Sequence, residues 1–171
     1  LALILPMSRR YIVITPARDE EAYLASTIAS VANQTVVPAE WIIVNDGSTD
    51  STGSIIDAAA VKYPWVRAHH RPNRGFRQAG GGVVETFNEG YRAISFSDWD
   101  YIVKLDGDLS FAPEYFEKCF EEFERDAKLG IVGGGIYHVE NGKEILEECP
   151  AFHVRGATKI YKRACWDERV A

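Results

Sequence analysis

The sequence has few cysteines, no long apolar run and no cluster of basic residues. Its three cysteines lack the spacing of metal ligands or redox pairs, which predicts reduced thiols in a cytosolic setting. The apolar opening segment, residues 1–6, is too short to cross a bilayer and lacks the basic flank of a signal peptide, so no membrane span is predicted. The net charge of −6 and the scattered Lys and Arg argue against a nucleic-acid binder, because phosphate backbones are held by clustered cations.

The chain also lacks internal repeats, low-complexity tracts and interdomain linkers, so its 171 residues predict one domain. A globular chain of this length buries roughly 70% of its unfolded surface, which is enough for a core. Met7 is a candidate start of translation. We therefore expect residues 1–10 to be a leader or an expression-derived segment and residues 11–171 to form the domain.

Short apolar runs alternate with helical patterns up to about residue 126. Unbroken apolar runs are typical of strands covered on both faces, and their alternation with helices predicts right-handed crossovers. The fold class indicated is α/β, with a doubly wound, mainly parallel sheet flanked by helices. The predicted strands are Tyr11–Ile14, Trp41–Val44, Val66–His69 and Tyr101–Leu105.

Apolar residues at helical spacing predict four helices, and further short strands follow them near the C-terminus. The helix markers are Leu24, Ile28 and Val31; a start near Ser51 and a stop at Pro64; Val84, Phe87, Tyr91 and Ile94; and Phe116, Phe120 and Phe123 after an opening at Pro113. The further strands are Ile131–Val139 and Phe152–Val154, with Gly133–Gly135 and Asn141–Gly142 as bulge or turn signals.

Polar clusters follow each of the four predicted strands of the parallel sheet. They cover residues 15–21, 45–50, 70–75 and 106–108. In an open α/β sheet, ligands bind in the crevice beyond the carboxyl ends of the strands. We therefore expect these clusters to form one ligand site.

Asp106-Gly107-Asp108 places two carboxylates where an apolar strand ends, and Gly107 is predicted to allow a tight backbone turn. Hard oxygen ligands of this kind suit Mg²⁺ or Mn²⁺, which bridge to substrate phosphates. Two like charges ~4 Å apart repel by about 4 kcal/mol at an effective dielectric near 20, so a diphosphate beside these carboxylates needs a divalent ion. The alternative interpretation is a solvated acidic turn.

Asp46 ends the second strand, where a carboxylate can accept a hydrogen bond from a nucleobase N–H or a ribose hydroxyl. Asp50 or Ser51, in contrast, is a natural helix N-cap, which predicts a structural role. Lone histidines such as His70 and His138 are also predicted to be structural, and the same holds for His153.

The loop after the first strand has two interpretations. Its acidic residues suit the start of a helix, where the macrodipole favours them. Alternatively, Ala17 and Arg18 line a base pocket and Glu20 fixes its polar edge. The glycines at 80–82 are followed by neither a dinucleotide fingerprint nor the Lys-Ser/Thr of a phosphate loop, which excludes those two motifs.

Taken together, these segments resemble the family 2 glycosyltransferases, which have the GT-A fold. The resemblance covers residue 11 to about residue 165, and its matching stretches are Ile12–Glu21, Ile43–Thr52, Asn73–Gly75 and Lys104–Asp108. It implies nucleotide binding by Pro16, Ala17, Arg18, Glu20, Asp46, Gly75 and Asp106, with further contacts around Arg74 and Arg77. It also implies a Mn²⁺ or Mg²⁺ ion held by Asp106 and, most directly, by Asp108.

By the same resemblance, the reaction is inverting transfer of a sugar from a nucleotide-diphosphate sugar, usually a UDP-sugar, to a hydroxyl of a carbohydrate or lipid-linked acceptor. A carboxylate takes the hydroxyl proton. The implied setting is cell-wall or polysaccharide synthesis in the cytoplasm, with peripheral contact to the inner face of the membrane as a further option.

The family places its base downstream of residues 156–158, and the only late acids here are Asp167 and Glu168. Either is a candidate base, but we expect the chain to be truncated and to lack the acceptor half. A non-catalytic nucleotide-sugar-binding domain is therefore a second hypothesis. A haloacid-dehalogenase-like phosphatase with Asp106 as nucleophile is a third, although Leu109-Ser110 stands where that class has Gly-Thr.

Overall fold

The computed structural model describes residues 9–75, 81–150 and 152–169. Within these ranges, strands and helices alternate up to α4 and short strands follow. The strands are β1 Tyr11–Ala17, β2 Glu40–Asn45, β3 Val66–His70, β4 Tyr101–Leu105, β5 Ile131–Val132, β6 Tyr137–Glu140, β7 Lys143–Leu146 and β8 Thr158–Lys162. The helices are α1 Leu24–Ala32, α2 Thr52–Lys62, α3 Gly81–Arg92, α4 Tyr115–Arg125 and α5 Arg163–Arg169.

The main sheet has the strand order β3-β2-β1-β4-β8-β5. Its first four strands are parallel, with β1 between β2 and β4. β8 runs antiparallel to both β4 and β5. The predicted α/β class with a mainly parallel sheet is confirmed, and so are the positions of its four parallel strands.

Alternate residues of each central strand point to opposite faces of the sheet, and each face has its own core. Val13, Ile43 and Val103 belong to the larger core, which α1, α2 and α4 cover. Ile14 and Ile42 belong to the other core, which contains side chains of α3 and α5. Burial on both faces explains why these strands read as unbroken apolar runs.

Two helix predictions need correction. Val84 is 60% exposed, because the buried side of α3 is formed instead by smaller residues and Phe87. α4 begins at Tyr115 and not at Pro113, and the carbonyl of Pro113 accepts a hydrogen bond from the Thr35 N–H at 3.0 Å.

The late strands also differ from the prediction. The segment Ile131–Val139 is broken into β5 and β6 at Gly133, where an added Cβ would lie 2.5 Å from the Thr158 carbonyl oxygen. Phe152–Val154 is not a strand, and Phe152 is 91% exposed. The strand beside β4 is β8, whose half-buried, alternating sequence hides it from a search for apolar runs.

Among the strands that the structure describes, β6 and β7 pair with each other alone, in an antiparallel hairpin. Its turn is Asn141–Gly142, and both residues have positive φ, as the sequence predicted. Within the described ranges, no helix combines the length and apolar character needed to cross a bilayer.

Two residues of the predicted leader contact the domain. The Arg9 Nε donates to Glu124 Oε1 at 2.8 Å, and the Arg10 carbonyl accepts a hydrogen bond from the Asp100 N–H at 2.8 Å. Arg9 and Arg10 are therefore part of the described fold. The rest of the predicted leader, residues 1–8, lies outside the described residues.

Candidate functional site

The carboxyl ends of β1, β2 and β4 lie side by side at one edge of the sheet. Asp46 follows β2 and Asp106 follows β4, on either side of β1. Adjacent strands lie about 4.8 Å apart, so the two strand ends are separated by roughly 10 Å. We call this edge, formed by residues 16–21, 46–50, 71–75 and 104–108, the carboxyl rim. It brings the polar clusters of the sequence to one place.

The first two loops of the carboxyl rim are joined by hydrogen bonds. Asp19 has a left-handed backbone, with φ 54°, and its Oδ1 accepts from the Thr49 N–H at 2.8 Å. The Asp19 N–H donates to Ser48 Oγ at 3.0 Å, and the Glu20 N–H donates to Thr52 Oγ1 at 2.7 Å. The acidic residues of this loop lie directly before α1 and not inside its first turn, and the Glu20 carbonyl accepts from the Leu24 N–H at 2.9 Å. They therefore stand at the entry to the helix while also joining the loop after β2.

Asp50 also has a structural role, as predicted. Its Oδ1 accepts from the Thr52 N–H at 2.9 Å at the start of α2, and its Oδ2 accepts from the Glu21 N–H at 3.1 Å. The loops after β1 and β2 therefore form one unit.

Ala17 and Arg18 hold the backbone of Asp46. The Ala17 carbonyl accepts from the Asp46 N–H at 2.9 Å, and Arg18 Nη1 donates to the Asp46 carbonyl oxygen at 2.8 Å. Ala17 is buried and Pro16 half-buried. The position of Asp46 at the rim is thus set by the end of the neighbouring strand.

Two arginines bind the carboxylate of Asp46. Arg71 Nη1 donates to Oδ1 at 2.6 Å, and Arg74 Nη2 donates to both oxygens, at 3.1 and 2.9 Å. The side chains of Asp46 and Arg71 are only 11% and 7% exposed, while that of Arg74 is 22% exposed. A nucleobase N–H that binds Asp46 therefore has to share the carboxylate with Arg74 or displace the Arg74 guanidinium.

Helix α3 holds these arginines from the other side. Arg71 donates to Thr86 Oγ1 and Glu85 Oε1, each at 2.7 Å, and lies 2.9 Å from Glu89 Oε2. Arg74 Nη1 donates to Glu85 Oε2 at 2.6 Å, and this bond lowers the pKa of Glu85. Asp46, Glu85 and Glu89 face Arg71 and Arg74, and Arg18 Nη1, which lies 3.9 Å from Asp46 Oδ2, supplies the third positive charge. With Arg18 included, the charges of this half-buried cluster balance.

Gly47 is packed against the third loop of the carboxyl rim. It has φ +68°, and a Cβ there would lie 2.4 Å from the Cα of Asn73. Asn73 Oδ1 accepts from Arg18 Nη2 at 3.2 Å and from the Gly75 N–H at 2.8 Å. Gly75 has φ +79°, and a Cβ added to it would meet no atom of the described residues within 4 Å.

Lys104 and Asp106 form an ion pair on the β4 side of the carboxyl rim. The same ammonium donates to the Gly156 carbonyl oxygen at 2.7 Å, and the Asp106 N–H donates to the Ala157 carbonyl oxygen at 2.9 Å. Burial raises the pKa of Asp106 above its ordinary value, Lys104 opposes this rise, and Asp108 adds to it. Asp106 is thus a half-buried carboxylate beside one cation and one anion.

Asp108 is exposed and adjoins this pair. Among the described residues, no group of three or more His, Cys, Asp or Glu side chains could hold a metal ion. Two carboxylates nonetheless suit Mg²⁺ or Mn²⁺, because these ions fill their other coordination positions with waters and substrate phosphates. The chemistry of the donor set fits an ion that the diphosphate helps to hold.

The turn predicted at Gly107 is present, but it does not require a glycine. Its φ is not positive, and an added Cβ would meet Leu24 Cδ1 at 3.4 Å, which is ordinary contact. Thr27 fixes this turn instead, because its Oγ1 donates to the Gly107 carbonyl oxygen at 2.8 Å and accepts from the Leu109 N–H at 3.1 Å. The glycines of the carboxyl rim with a left-handed backbone are Gly47 and Gly75, and of these Gly47 is also closely packed.

Asp167 and Glu168 are not brought to the carboxyl rim. β8 runs antiparallel to β4 and pairs Lys162 with Tyr101, so α5 begins at the opposite edge of the sheet. Asp167 is exposed and lies 3.6 Å from Arg163 on its own helix. This placement speaks against either acid as the catalytic base.

His70 lies near the rim and makes structural contacts. Its Nδ1 lies 3.0 Å from Asn45 Nδ2 and its Nε2 lies 2.9 Å from Asp57 Oδ1. His138 and His153 are exposed.

Sequence reasoning missed the parts played by Arg71, Glu85 and Lys104. The polar loop after β3 contains Arg71, but its partners on α3 follow only from tertiary packing. Lys104 stands inside the matched motif, where its position two residues before Asp106 was the available signal. Arg77, which the resemblance implied as a nucleotide contact, lies outside the described residues.

The strand order and the rim are those of a GT-A domain, and solved structures share this fold. Mannosyltransferase PcManGT from Pyrobaculum calidifontis, in complex with GDP-Man and Mn²⁺, has a TM-score of 0.67 at 17% identity over 92% of this chain and 46% of its own. TarS from S. aureus in complex with UDP-GlcNAc has a TM-score of 0.64 at 19% identity, over 92% of this chain and 46% of that chain.

The family follows from the sequence match. Residues 12–163 match the model of glycosyl transferase family 2, and the chain belongs to that family. The chondroitin synthase of Pasteurella multocida (strain Pm70) is 36% identical over 120 residues, which are 70% of this chain and 11% of that protein. Glycosyltransferase GlyG of Streptococcus pneumoniae is 30% identical over 135 residues, 78% of this chain and 41% of that protein. The chain therefore spans less than half the length of these relatives.

Proposed function

We propose that this chain binds the nucleotide diphosphate of a sugar donor at the carboxyl rim, as the donor-binding part of an inverting glycosyltransferase. The observation that carries the proposal is the placement of Asp46 and the Asp106/Asp108 pair on the two sides of β1. A separation of roughly 10 Å between the two strand ends leaves room for a ribose and a diphosphate between a base contact and a metal contact. The family membership is consistent with this role and removes the phosphatase hypothesis.

Asp46 limits the bases that the rim can accept. A carboxylate only accepts hydrogen bonds, so it suits a base whose Watson–Crick edge presents N–H groups at the centre, as uracil and guanine do. Adenine and cytosine present a ring nitrogen acceptor there, which the carboxylate would repel. The complexes of TarS with UDP-GlcNAc and PcManGT with GDP-Man contain these two bases, and we favour a UDP-sugar.

Asp108 and Asp106 are the residues that would hold Mn²⁺ or Mg²⁺. The ion would neutralise the diphosphate and the charge that develops on it as it leaves. Asp108 is exposed and free to turn towards the ion, whereas Asp106 is fixed through its backbone N–H to Ala157. Asp106 therefore orients the metal site, and its carboxylate is also within reach of a ribose on the β1 side.

Transfer to an acceptor needs a carboxylate base, and Asp167 and Glu168 are not at the rim. We therefore assign donor binding to the carboxyl rim of this chain and transfer to the whole protein. A carbohydrate or lipid-linked acceptor and a cytoplasmic location, with peripheral contact to the inner face of the membrane, stay predictions of the sequence. A non-catalytic binding domain would share the same rim, and assay of the whole protein for transfer separates the two.

Thermal unfolding with a panel of nucleotides tests the proposal. The chain is heated with UDP, GDP, ADP, CDP or UDP-GlcNAc, each with and without Mn²⁺. We expect stabilisation by the uracil ligands, or by GDP, that depends on the metal, because a ligand that binds only the native state raises stability by mass action. Equal stabilisation by ADP, or none by any member with Mn²⁺ present, would contradict it.

Changing Asp46 to Asn tests the base contact. We expect UDP, UDP-GlcNAc and uridine to lose affinity by the same factor, about tenfold or more, because a charged hydrogen bond contributes roughly 1.5 to 3 kcal/mol. Calorimetry measures the two nucleotides and ligand-observed NMR measures uridine. Uridine has no phosphate, so its response separates base binding from effects transmitted by Arg71 and Arg74.

The matched control is Asp57→Asn, which removes a carboxylate that contacts His70 outside the rim. It should leave all three affinities unchanged. If Asp46→Asn weakens UDP but leaves uridine as before, Asp46 does not contact the base.

A further inference from the structure

Lys104 gives Asp106 a cation from within the protein. Its side chain is 18% exposed, and the ammonium contacts both Asp106 Oδ1 and the Gly156 carbonyl oxygen. It therefore joins β4 to the turn before β8. A metal ion that binds Asp106 therefore has to compete with the ammonium for the carboxylate.

The electrostatics oppose a metal ion that arrives alone. A divalent cation at Asp106 has to displace the ammonium or bind beside it, and two cations a few ångströms apart repel each other. Asp108 is exposed, so its attraction for the ion is weakened by water and salt. The pair of acids is thus a weaker site than its sequence suggests.

The diphosphate changes this balance in two ways. It supplies further oxygen ligands to the ion, and it offers the displaced ammonium a new anionic partner. The bond to the Gly156 carbonyl would keep the Lys104 ammonium at the rim while the ammonium exchanges Asp106 for the diphosphate.

We infer that Lys104 is the counter-ion of Asp106 that the metal must displace, so that Mn²⁺ or Mg²⁺ binds strongly only together with the nucleotide diphosphate. This inference rests on the proposed function, since it concerns the same rim. It assigns Lys104 as a positioning residue that couples metal binding to donor binding. Coupling of this kind is reciprocal: the factor by which UDP raises Mn²⁺ affinity equals the factor by which Mn²⁺ raises UDP affinity.

Mn²⁺ binding to the unmodified chain and to Lys104 variants tests the inference. The dissociation constant for Mn²⁺ is measured from the loss of the free-ion electron paramagnetic resonance signal, without and with saturating UDP. For Lys104→Gln we expect Mn²⁺ alone to bind about tenfold more tightly, because one repelling charge is removed. The ratio of the two dissociation constants should fall by at least about fivefold. Lys104→Met is made in parallel, so a folding defect in one neutral variant does not decide the outcome.

Two controls separate the charge from its position. Lys104→Arg keeps a cation in place and should keep the coupling. Lys162→Gln removes a charge at the other end of the same strand pair. Lys162 is opposite Tyr101, roughly 10 Å from Lys104 along β4, and the variant should behave as the unmodified chain does.

If the unmodified chain binds UDP with Mn²⁺ and both neutral variants keep its Mn²⁺ affinities, the role of Lys104 is overturned while the proposed function stands. If the unmodified chain binds neither UDP nor Mn²⁺ under any of these conditions, both are overturned. Tighter Mn²⁺ binding in Lys162→Gln as well would mean that net charge alone is responsible, and would also overturn the role of Lys104.

Discussion

Replacing Asp108 by alanine is expected to abolish the stabilisation that UDP gives in the presence of Mn²⁺. A ligand at a hundred times its dissociation constant stabilises the native state by about 2.7 kcal/mol. For a chain of 171 residues this corresponds to a rise in unfolding temperature of roughly 5 to 10 °C. We expect that whole rise to be lost, because Asp108 is the exposed carboxylate that is free to turn to the ion. Thermal unfolding with and without UDP and Mn²⁺ measures it.

The unliganded protein provides an internal check on this variant. Asp108 raises the pKa of Asp106, which means that the two carboxylates repel each other. Removing Asp108 should therefore leave the unliganded unfolding temperature unchanged or slightly higher. Glu121→Ala, on the exposed side of α4, removes the same charge away from the rim and should keep the response to ligand. A full rise with Asp108→Ala would refute the metal assignment.

The parallel half of the sheet could be predicted from sequence because its strands are buried on both sides. Trp41–Val44 has no polar interruption, and the two cores on either side of β2 account for that. Once such strands are placed, the rule that ligands bind beyond their carboxyl ends places Asp46 and Asp106 at one edge. This much of the site follows from local sequence and one rule of topology.

The remainder depends on partners that are distant in the chain. The sequence predicts that Asp46 faces a base, yet the structure adds Arg71 and Arg74, which lie 25 and 28 residues away and are held by α3. Lys104 reaches both Asp106 and Gly156, which lies 52 residues away. The spacing of apolar residues does not predict such pairings, because they depend on how the helices, strands and loops pack together. β8 escapes prediction for a related reason: its Ile160 is buried, but its neighbours in sequence are polar and half-exposed.

The glycines show the same division between local and tertiary causes. Gly107 stands between two acids, which suggests a special backbone, but the structure shows that its position does not need a glycine. Gly142 follows from the turn signal and has the expected positive φ. A glycine is required at Gly47 for two reasons: its φ is positive, and its Cα lies too close to the loop after β3 to carry a Cβ. Only the first of these two needs is visible in the sequence.

Replacing Gly47 by alanine is therefore expected to destabilise the protein by about 3 kcal/mol or more. A left-handed backbone costs alanine roughly 1 to 2 kcal/mol, and overpacking adds roughly 1 to 3 kcal/mol. The second contribution arises because the new Cβ would lie 2.4 Å from Asn73 Cα, 2.8 Å from Asn73 N and 3.0 Å from the Pro72 carbonyl oxygen. These are backbone atoms, so no change of rotamer relieves the clash. Urea unfolding gives the free energy from the midpoint and slope.

Gly142→Ala is the matched control, since Gly142 has φ +75° and an added Cβ would have no described atom within 4 Å. It should cost only the backbone part, and its affinity for UDP with Mn²⁺ should not change. Gly47→Ala should also weaken UDP, because a shift of the Asn73 backbone moves the loop that carries Arg71 and Arg74 against Asp46. Equal losses of stability in the two variants would mean that the loop yields without cost, and that Gly47 does not hold Asp46 and its arginines in place.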